Sequence, residues 1–201
     1  MEFHVVDGQY PEGFDFDGVV VTGSRSSVYD DDPWIEPTKA WVEAAIDRGL
    51  PALGICFGHQ LLADVLGGTV EDMGEYELGY REIHQTADDP VFDGLDETFC
   101  CFLTHSDVVT ELPLGAECIA ENDHGIQGFR CENVVGIQAH PEYDQTSAEG
   151  VTRAKDLPDE RIEAVCADIT DETYARACET KVVFDNFLRE LQAATPAASD
   201  D

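Results

Sequence analysis

The chain of 201 residues carries 43 acidic against 11 basic side chains, a net charge of -32, and 43% of it is apolar. A field of that sign repels phosphate backbones and anionic lipid, so neither nucleic acid nor a membrane is an expected partner. The length and apolar content suit one folded domain with a sizeable core and exclude a chain disordered throughout.

Short apolar runs alternate with longer amphipathic stretches, the pattern of an α/β fold. Phe3 to Val6 reads as a strand, and Val19 to Val21 as a second one ending at Thr22-Gly23. Pro37 to Arg48 predicts a helix with Trp41, Val42, Ala45 and Ile46 on one face, stopped by Gly49. Pro51 to Ile55 is a fully apolar strand, and Gly58 to Leu66 a helix closed by Gly67-Gly68. Tyr80 to Gln85, Phe99 to Thr104, Glu117 to Ala120, Ile126 to Cys131 and Val134 to Ala139 read as strands with no helix between them, so an antiparallel region is expected there. Helices follow near Ser147 to Lys155 and Pro158 to Ala167. A last one is expected from Asp171 to Leu191, with Phe184, Phe187, Leu188 and Leu191 as its buried stripe. The folded domain is expected over residues 1–192, and residues 193–201 predict a disordered acidic tail.

The acidic residues are spread along the chain, and only three lysines occur, Lys39, Lys155 and Lys181. Such a surface reads as salt-adapted, because dense salt screens the self-repulsion that would loosen the fold in dilute buffer. The seven cysteines form no spaced framework and no CxxC pair, which argues against a disulfide scaffold or a structural zinc site. No apolar run approaches the ~20 residues that span a bilayer, and no secretory signal opens the chain. The cytoplasm is the expected location.

The sharpest local signal is Gly54-Ile55-Cys56-Phe57-Gly58-His59-Gln60, set where an apolar strand meets a helix. This is a G-x-nucleophile-x-G elbow with cysteine as the nucleophile. Small flanking residues permit the strained turn, and the helix N-terminus behind it favours a thiolate. The Phe57 N–H points to where an oxyanion would form. The other six cysteines read as core residues. A second motif, Gly136-Ile137-Gln138-Ala139-His140-Pro141-Glu142, ends a strand. His140 there can act as general base to a thiol, and Glu142 can fix its tautomer, a Cys-His-Glu triad. His59, just after the elbow, reads as an orienting or packing residue rather than the base, and His4, His84 and His124 as surface or packing residues.

With both stretches in hand, the chain resembles the class I glutamine amidotransferases, in the manner of a glutaminase domain of the GMP-synthase type. That family's elbow reads G-x-C-x-G-x-Q and its later motif G-x-Q-x-H-P-E, matched at Gly54 to Gln60 and at Gly136 to Glu142. Glu77-Leu78-Gly79-Tyr80 resembles its E-I-G-W segment, and Thr104-His105-Ser106-Asp107 its S-H-G-D loop. The resemblance implies a flavodoxin-like three-layer sandwich with a mostly parallel central sheet and a small antiparallel region. It also implies that Cys56 attacks the glutamine side-chain amide and forms a glutamyl thioester, with Gln60, Gly23 and the Ser106 backbone holding the substrate. No metal and no cofactor are required.

Two departures stand out. Where the family has S-G-G-P, with a glycine N–H in the oxyanion hole, this chain has Thr22-Gly23-Ser24-Arg25, so the Ser24 N–H takes that position and Arg25 replaces the proline. Family members also open with a central strand and helix that have no counterpart before Phe3, so the chain is expected to lack about 30 residues, the size of a βα unit. Three functions fit the whole. The first is glutamine hydrolysis that feeds ammonia to a separate synthetase subunit, because no phosphate-cradling glycine loop occurs in the chain. The second is free-standing γ-glutamyl peptide hydrolysis by the same triad, and the third a non-catalytic regulatory or binding module.

Overall fold

The computed structural model describes residues 1–194. Its centre is a seven-stranded mixed sheet in the order β1-β2-β7-β6-β5-β3-β4. The strands are β1 (Val19–Val21), β2 (Ala52–Ile55), β3 (Thr69–Gln85), β4 (Thr98–Glu111), β5 (Glu117–Asn122), β6 (Gly125–Cys131) and β7 (Val134–Ile137). The helices are α1 (Ile35–Ile46), α2 (Phe57–Val65), α3 (Gln145–Arg153), α4 (Asp159–Asp168), α5 (Asp171–Cys178) and α6 (Val182–Ala194).

Strand β2 is buried at every residue, as the central strand of a sheet covered on both faces must be. Its period-two alternation feeds two cores. Leu53 and Ile55 pack with Val135, Ile137 and, from α6, Val183 and Phe187. Ala52 packs with Val134 and with Val42 of α1 and Leu61 and Leu62 of α2. Helices therefore cover both faces, giving the three layers expected. A third cluster joins Leu78, Tyr80, Cys100 and Phe102 of β3 and β4 to Ala148 of α3 and Ala177 of α5.

The balance of the sheet differs from the expectation of a mostly parallel one. Only β1–β2 and β2–β7 run parallel, while the remaining pairings, from β7 through β6, β5 and β3 to β4, are antiparallel. The excess comes from β3 and β4, which reach 17 and 14 residues. Acidic residues at Glu71, Asp72 and Glu75 hide the first half of β3 from a reading of hydrophobic pattern. This half is held by ladder bonds to β4 rather than by burial.

Phe3 to Val6 forms no strand. Val5–Asp7 is a single 3-10 turn closed by Gly8 at φ 73. No residue there is buried, so nothing fixes the side-chain alternation that a strand needs. The long last helix is also interrupted, by a 3-10 turn over Glu179–Lys181. Thr180 explains the break, because its hydroxyl bonds back to the Ala177 carbonyl (2.6 Å) and reaches the Cys101 sulfur (3.4 Å) while fully buried. Of the expected tail, residues 193 and 194 still belong to α6, and the rest lies outside the described residues.

Candidate active site

Residue 56 connects β2 to α2 and sits at φ 54, ψ -105, a left-handed conformation strained for any residue with a Cβ. The flanking glycines make the turn possible. A Cβ on Gly54 would lie 2.4 Å from the Gly58 carbonyl, and one on Gly58 would lie 2.0 Å from the Val21 carbonyl of β1. The elbow is thus folded against itself and against the neighbouring strand at once. Phe57 opens α2, so its N–H lies in the first turn, where no helical acceptor exists.

His140 follows the end of β7 and is anchored by its own N–H to the Phe102 carbonyl at 2.9 Å. Its Nδ1 lies 2.7 Å from Glu142 Oε1, and Tyr143 stacks on its ring at 4.3 Å. The imidazole is buried, with its side chain 4% exposed against 40% for Glu142. Burial alone pulls His140 toward the neutral form. The charge of the Cys56 sulfur, its hydrogen bond to the imidazole and the Glu142 carboxylate outweigh that pull and raise the ring to about 10. Sulfur, imidazole and carboxylate are therefore in one chain of contacts. A group raised in this way contributes fully below its ordinary value of 6.5 and loses its contribution as pH rises through about 10. Glu142→Gln removes one of the raising charges, so the alkaline limb of the rate profile should move to lower pH. A pH profile of glutamate release measures this, and an unmoved limb would count against Glu142 as the partner of the ring.

Gly23 lies directly under the ring, since a Cβ there would meet His140 Cε1 at 2.9 Å. The next residues, Ser24 and Arg25, line a cavity of about 270 Å³ with Cys56, Gln60 and Ser106. The Gln60 amide nitrogen donates to the Asp107 carbonyl (3.0 Å) and to Gln138 Oε1 (3.0 Å). Ser24, Cys56, Gln60 and Ser106 thus line this cavity, while Gly23 lies against Cys56 and His140, and Glu142 is joined to the ring. One expectation changes: Thr104 to Asp107 is no loop but the middle of β4. It faces a register shift between Asp72 and Glu77 of β3, and the displaced Tyr76 joins the cavity lining.

Behind this wall lies a buried network that no local pattern of residues announces. Glu77, 1% exposed, accepts from His105 Nε2 (2.8 Å), Asn122 Nδ2 (2.7 Å) and Gln127 Nε2 (3.3 Å). Burial pushes its carboxyl up, but the hydrogen bond and charge of His105 prevail and hold it below 4.5. That contribution is present above pH 4.5 and fades as acid protonates the group. His105 Nδ1 in turn faces the Asp107 carbonyl at 2.9 Å, the same oxygen that receives Gln60. The Asp107 carboxylate is held by the hydroxyls of Ser27 and Tyr29. Glu77→Gln should therefore raise KM for glutamine about tenfold, through the loosened Gln60 amide, with a smaller change in kcat. Steady-state kinetics test it, and a fall in kcat at constant KM would contradict it.

The remaining histidines and cysteines stay outside the chemistry. His59 is fully buried against Phe129, and loss of water lowers it to about 3, so it is a neutral packing residue. Cys101 is buried beneath Thr180, and burial pushes its thiol up to about 12. All seven cysteines are free. Among the described residues no group of side chains could hold a metal ion, and no helix is long and apolar enough to cross a membrane.

The family model for glutamine amidotransferase class-I matches residues 3–155. A GMP synthase of Caldicellulosiruptor saccharolyticus is 36% identical over 132 residues, which are 64% of this chain and 25% of that protein. Gamma-glutamyl peptidase 5 of Arabidopsis thaliana is 32% identical over 154 residues, 71% of this chain and 61% of the peptidase. The chain thus spans about a quarter of the GMP synthase it matches. In fold it is similar to a glutamine amidotransferase of Thermotoga maritima, with a TM-score of 0.78 at 22% identity over 94% of this chain and 84% of the other.

Proposed function

Because this chain belongs to the class I glutamine amidotransferases, we propose that Cys56, His140 and Glu142 are its catalytic triad and that it hydrolyses the side-chain amide of glutamine. The contact chain from sulfur through imidazole to carboxylate carries this reading. The Cys56 thiolate attacks the amide carbon, and the N–H groups of Phe57 and Ser24 receive the oxyanion. His140 passes its proton to the leaving nitrogen, the C–N bond breaks, and ammonia departs from a glutamyl thioester. The same imidazole then takes a proton from water, which attacks the thioester, releases glutamate and restores the thiolate. The Gln60 side-chain oxygen, which has no partner among the described residues, accepts from the substrate ammonium. Glu142 keeps the imidazole in the orientation that serves sulfur with its other nitrogen.

Ammonia released here would pass to a synthetase on a separate subunit. The likeness to GMP synthases, confined to a quarter of their length, supports that arrangement. A second reading, hydrolysis of γ-glutamyl peptides, is supported by the peptidase relative, of which this chain covers 61%. The test is glutamate release in molar potassium chloride from glutamine and from γ-glutamyl dipeptides, with mass spectrometry of the trapped acyl-enzyme. An adduct on a cysteine other than Cys56, or none with any substrate, would remove the reading.

A further inference from the structure

Arg25 stands where the sequence departs from the family pattern, and the structure places it on the wall of the catalytic cavity. Two residues earlier the same loop touches the His140 ring at Gly23. Arg25 also acts electrostatically on Tyr143, whose ring stacks on His140. Gly23 also lies against Cys56, so the loop that carries Arg25 passes both side chains of the proposed reaction. Gln60 and Asp107, joined by a hydrogen bond, line the same cavity, and Ser27 at the end of the loop reaches Asp107.

That placement has a chemical meaning. His140 delivers its proton to the leaving nitrogen, so whatever is attached to that nitrogen lies beside the loop that carries Arg25. Ammonia carries no substituent there. An amino-acid leaving group carries a carboxylate on the carbon next to nitrogen, and a guanidinium fork receives a carboxylate with two parallel hydrogen bonds. A second cation, Lys155, lines the same cavity and sits over the Tyr76 ring at 4.5 Å. Lys39, Arg130, Arg153 and Arg176 are committed to carboxylates, whereas Arg25 and Lys155 form no ion pair among the described residues. Of the acids at the cavity, Asp107 turns its oxygens to Ser27 and Tyr29, which leaves the exposed Asp156 as the competing charge. Lys155 also donates to the Tyr76 hydroxyl, and in a chain of net charge -32 two cations without an ion pair at one cavity offset the field that would otherwise repel an anionic substrate.

We propose that, beside glutamine, the site takes γ-glutamyl amides of amino acids, and that Arg25 selects them by binding the free carboxylate of the leaving amino acid. This rests on the thioester chemistry proposed above. Cys56 forms the thioester as the C–N bond breaks, the amino acid leaves with the His140 proton on its nitrogen, and water then releases glutamate.

The test compares γ-glutamylglycine with γ-glutamylglycinamide, which differ in one charge at constant size, using the full chain. We expect kcat/KM to favour the carboxylate form by on the order of tenfold. Arg25→Gln should bring the ratio near unity, Arg25→Lys should keep part of it, and Lys155→Gln should lower it less. Circular dichroism checks that the exposed Arg25 loop leaves the fold intact. Equal rates for the two dipeptides, an unchanged ratio in Arg25→Gln, or glutamate from glutamine alone would each overturn the proposal while leaving the glutaminase reading in place. Glutamate from no substrate at all would overturn both.

Discussion

Cys56→Ala should lower glutamate release from glutamine by on the order of 10⁴-fold or more, with secondary structure unchanged. In the proposed reaction, sulfur is the atom that carries the acyl group between the two halves. The other buried thiols, Cys100 and Cys101, lie in the cores, and burial pushes both up, toward the protonated form. Loss of the sulfur charge also removes the largest influence raising His140, so its titration in the variant should fall well below about 10. Histidine NMR reads that fall independently of turnover. Cys56→Gly provides the control for strain. It should be equally inactive, yet more stable than Cys56→Ala, because φ 54 suits glycine and costs a Cβ-bearing residue about 1 kcal/mol. Turnover within tenfold of wild type in either variant would end the case for Cys56 as the nucleophile.

Gly58→Ala should be the most damaging single methyl group in the chain. Its Cβ would stand 2.0 Å from the carbonyl oxygen and 2.7 Å from the carbonyl carbon of Val21, both backbone atoms that no rotamer change can clear. Helix α2 must back away from β1, which costs about 3 kcal/mol or more. The displacement also carries Cys56 away from His140, and about 1 Å of misplacement is enough for a 10²-fold loss of rate. Gly150→Ala, in the middle of α3, is the matched contrast. Nothing lies within 4 Å of its Cβ, and alanine there should stabilise by about 0.5–1 kcal/mol. Urea unfolding of both variants, with glutamate release on each, tests the pair. A Gly58→Ala protein as stable as wild type would mean that the elbow is not packed as described.

What could be read from the sequence follows from how local each signal is. The elbow was legible because Gly54, Cys56 and Gly58 meet each other within one turn, and the apolar run before them is buried at every residue. His140 and Glu142 were legible for the same reason, lying two residues apart and in direct contact. The start of β3 was hidden because Glu71 and Asp72 are poor strand formers, and only the distant β4 ladder holds them extended. The grip of Ser27 and Tyr29 on Asp107 joins residues about 80 positions apart, which no window of sequence can display. The break at Thr180 was missed because a helical stripe continues on both sides, and the cause is a tertiary contact with Cys101. Tyr143 could have been noticed, since an aromatic directly after His-Pro-Glu is well placed to lean on the imidazole.

The two walls of the catalytic cavity are built from different material. One is the middle of β4, where Thr104 to Asp107 are locked by ladder bonds on β3 and by the Glu77 network. The other is the turn after β1, Ser24 to Ser27, which belongs to no helix or strand. Point changes in the first wall disturb the whole sheet, whereas the second can be rewritten at little cost to folding. In the proposed reading, new preferences for the departing amine can therefore arise by substitution at position 25, apart from Ser27 and its bond to Asp107 behind the glutamyl grip.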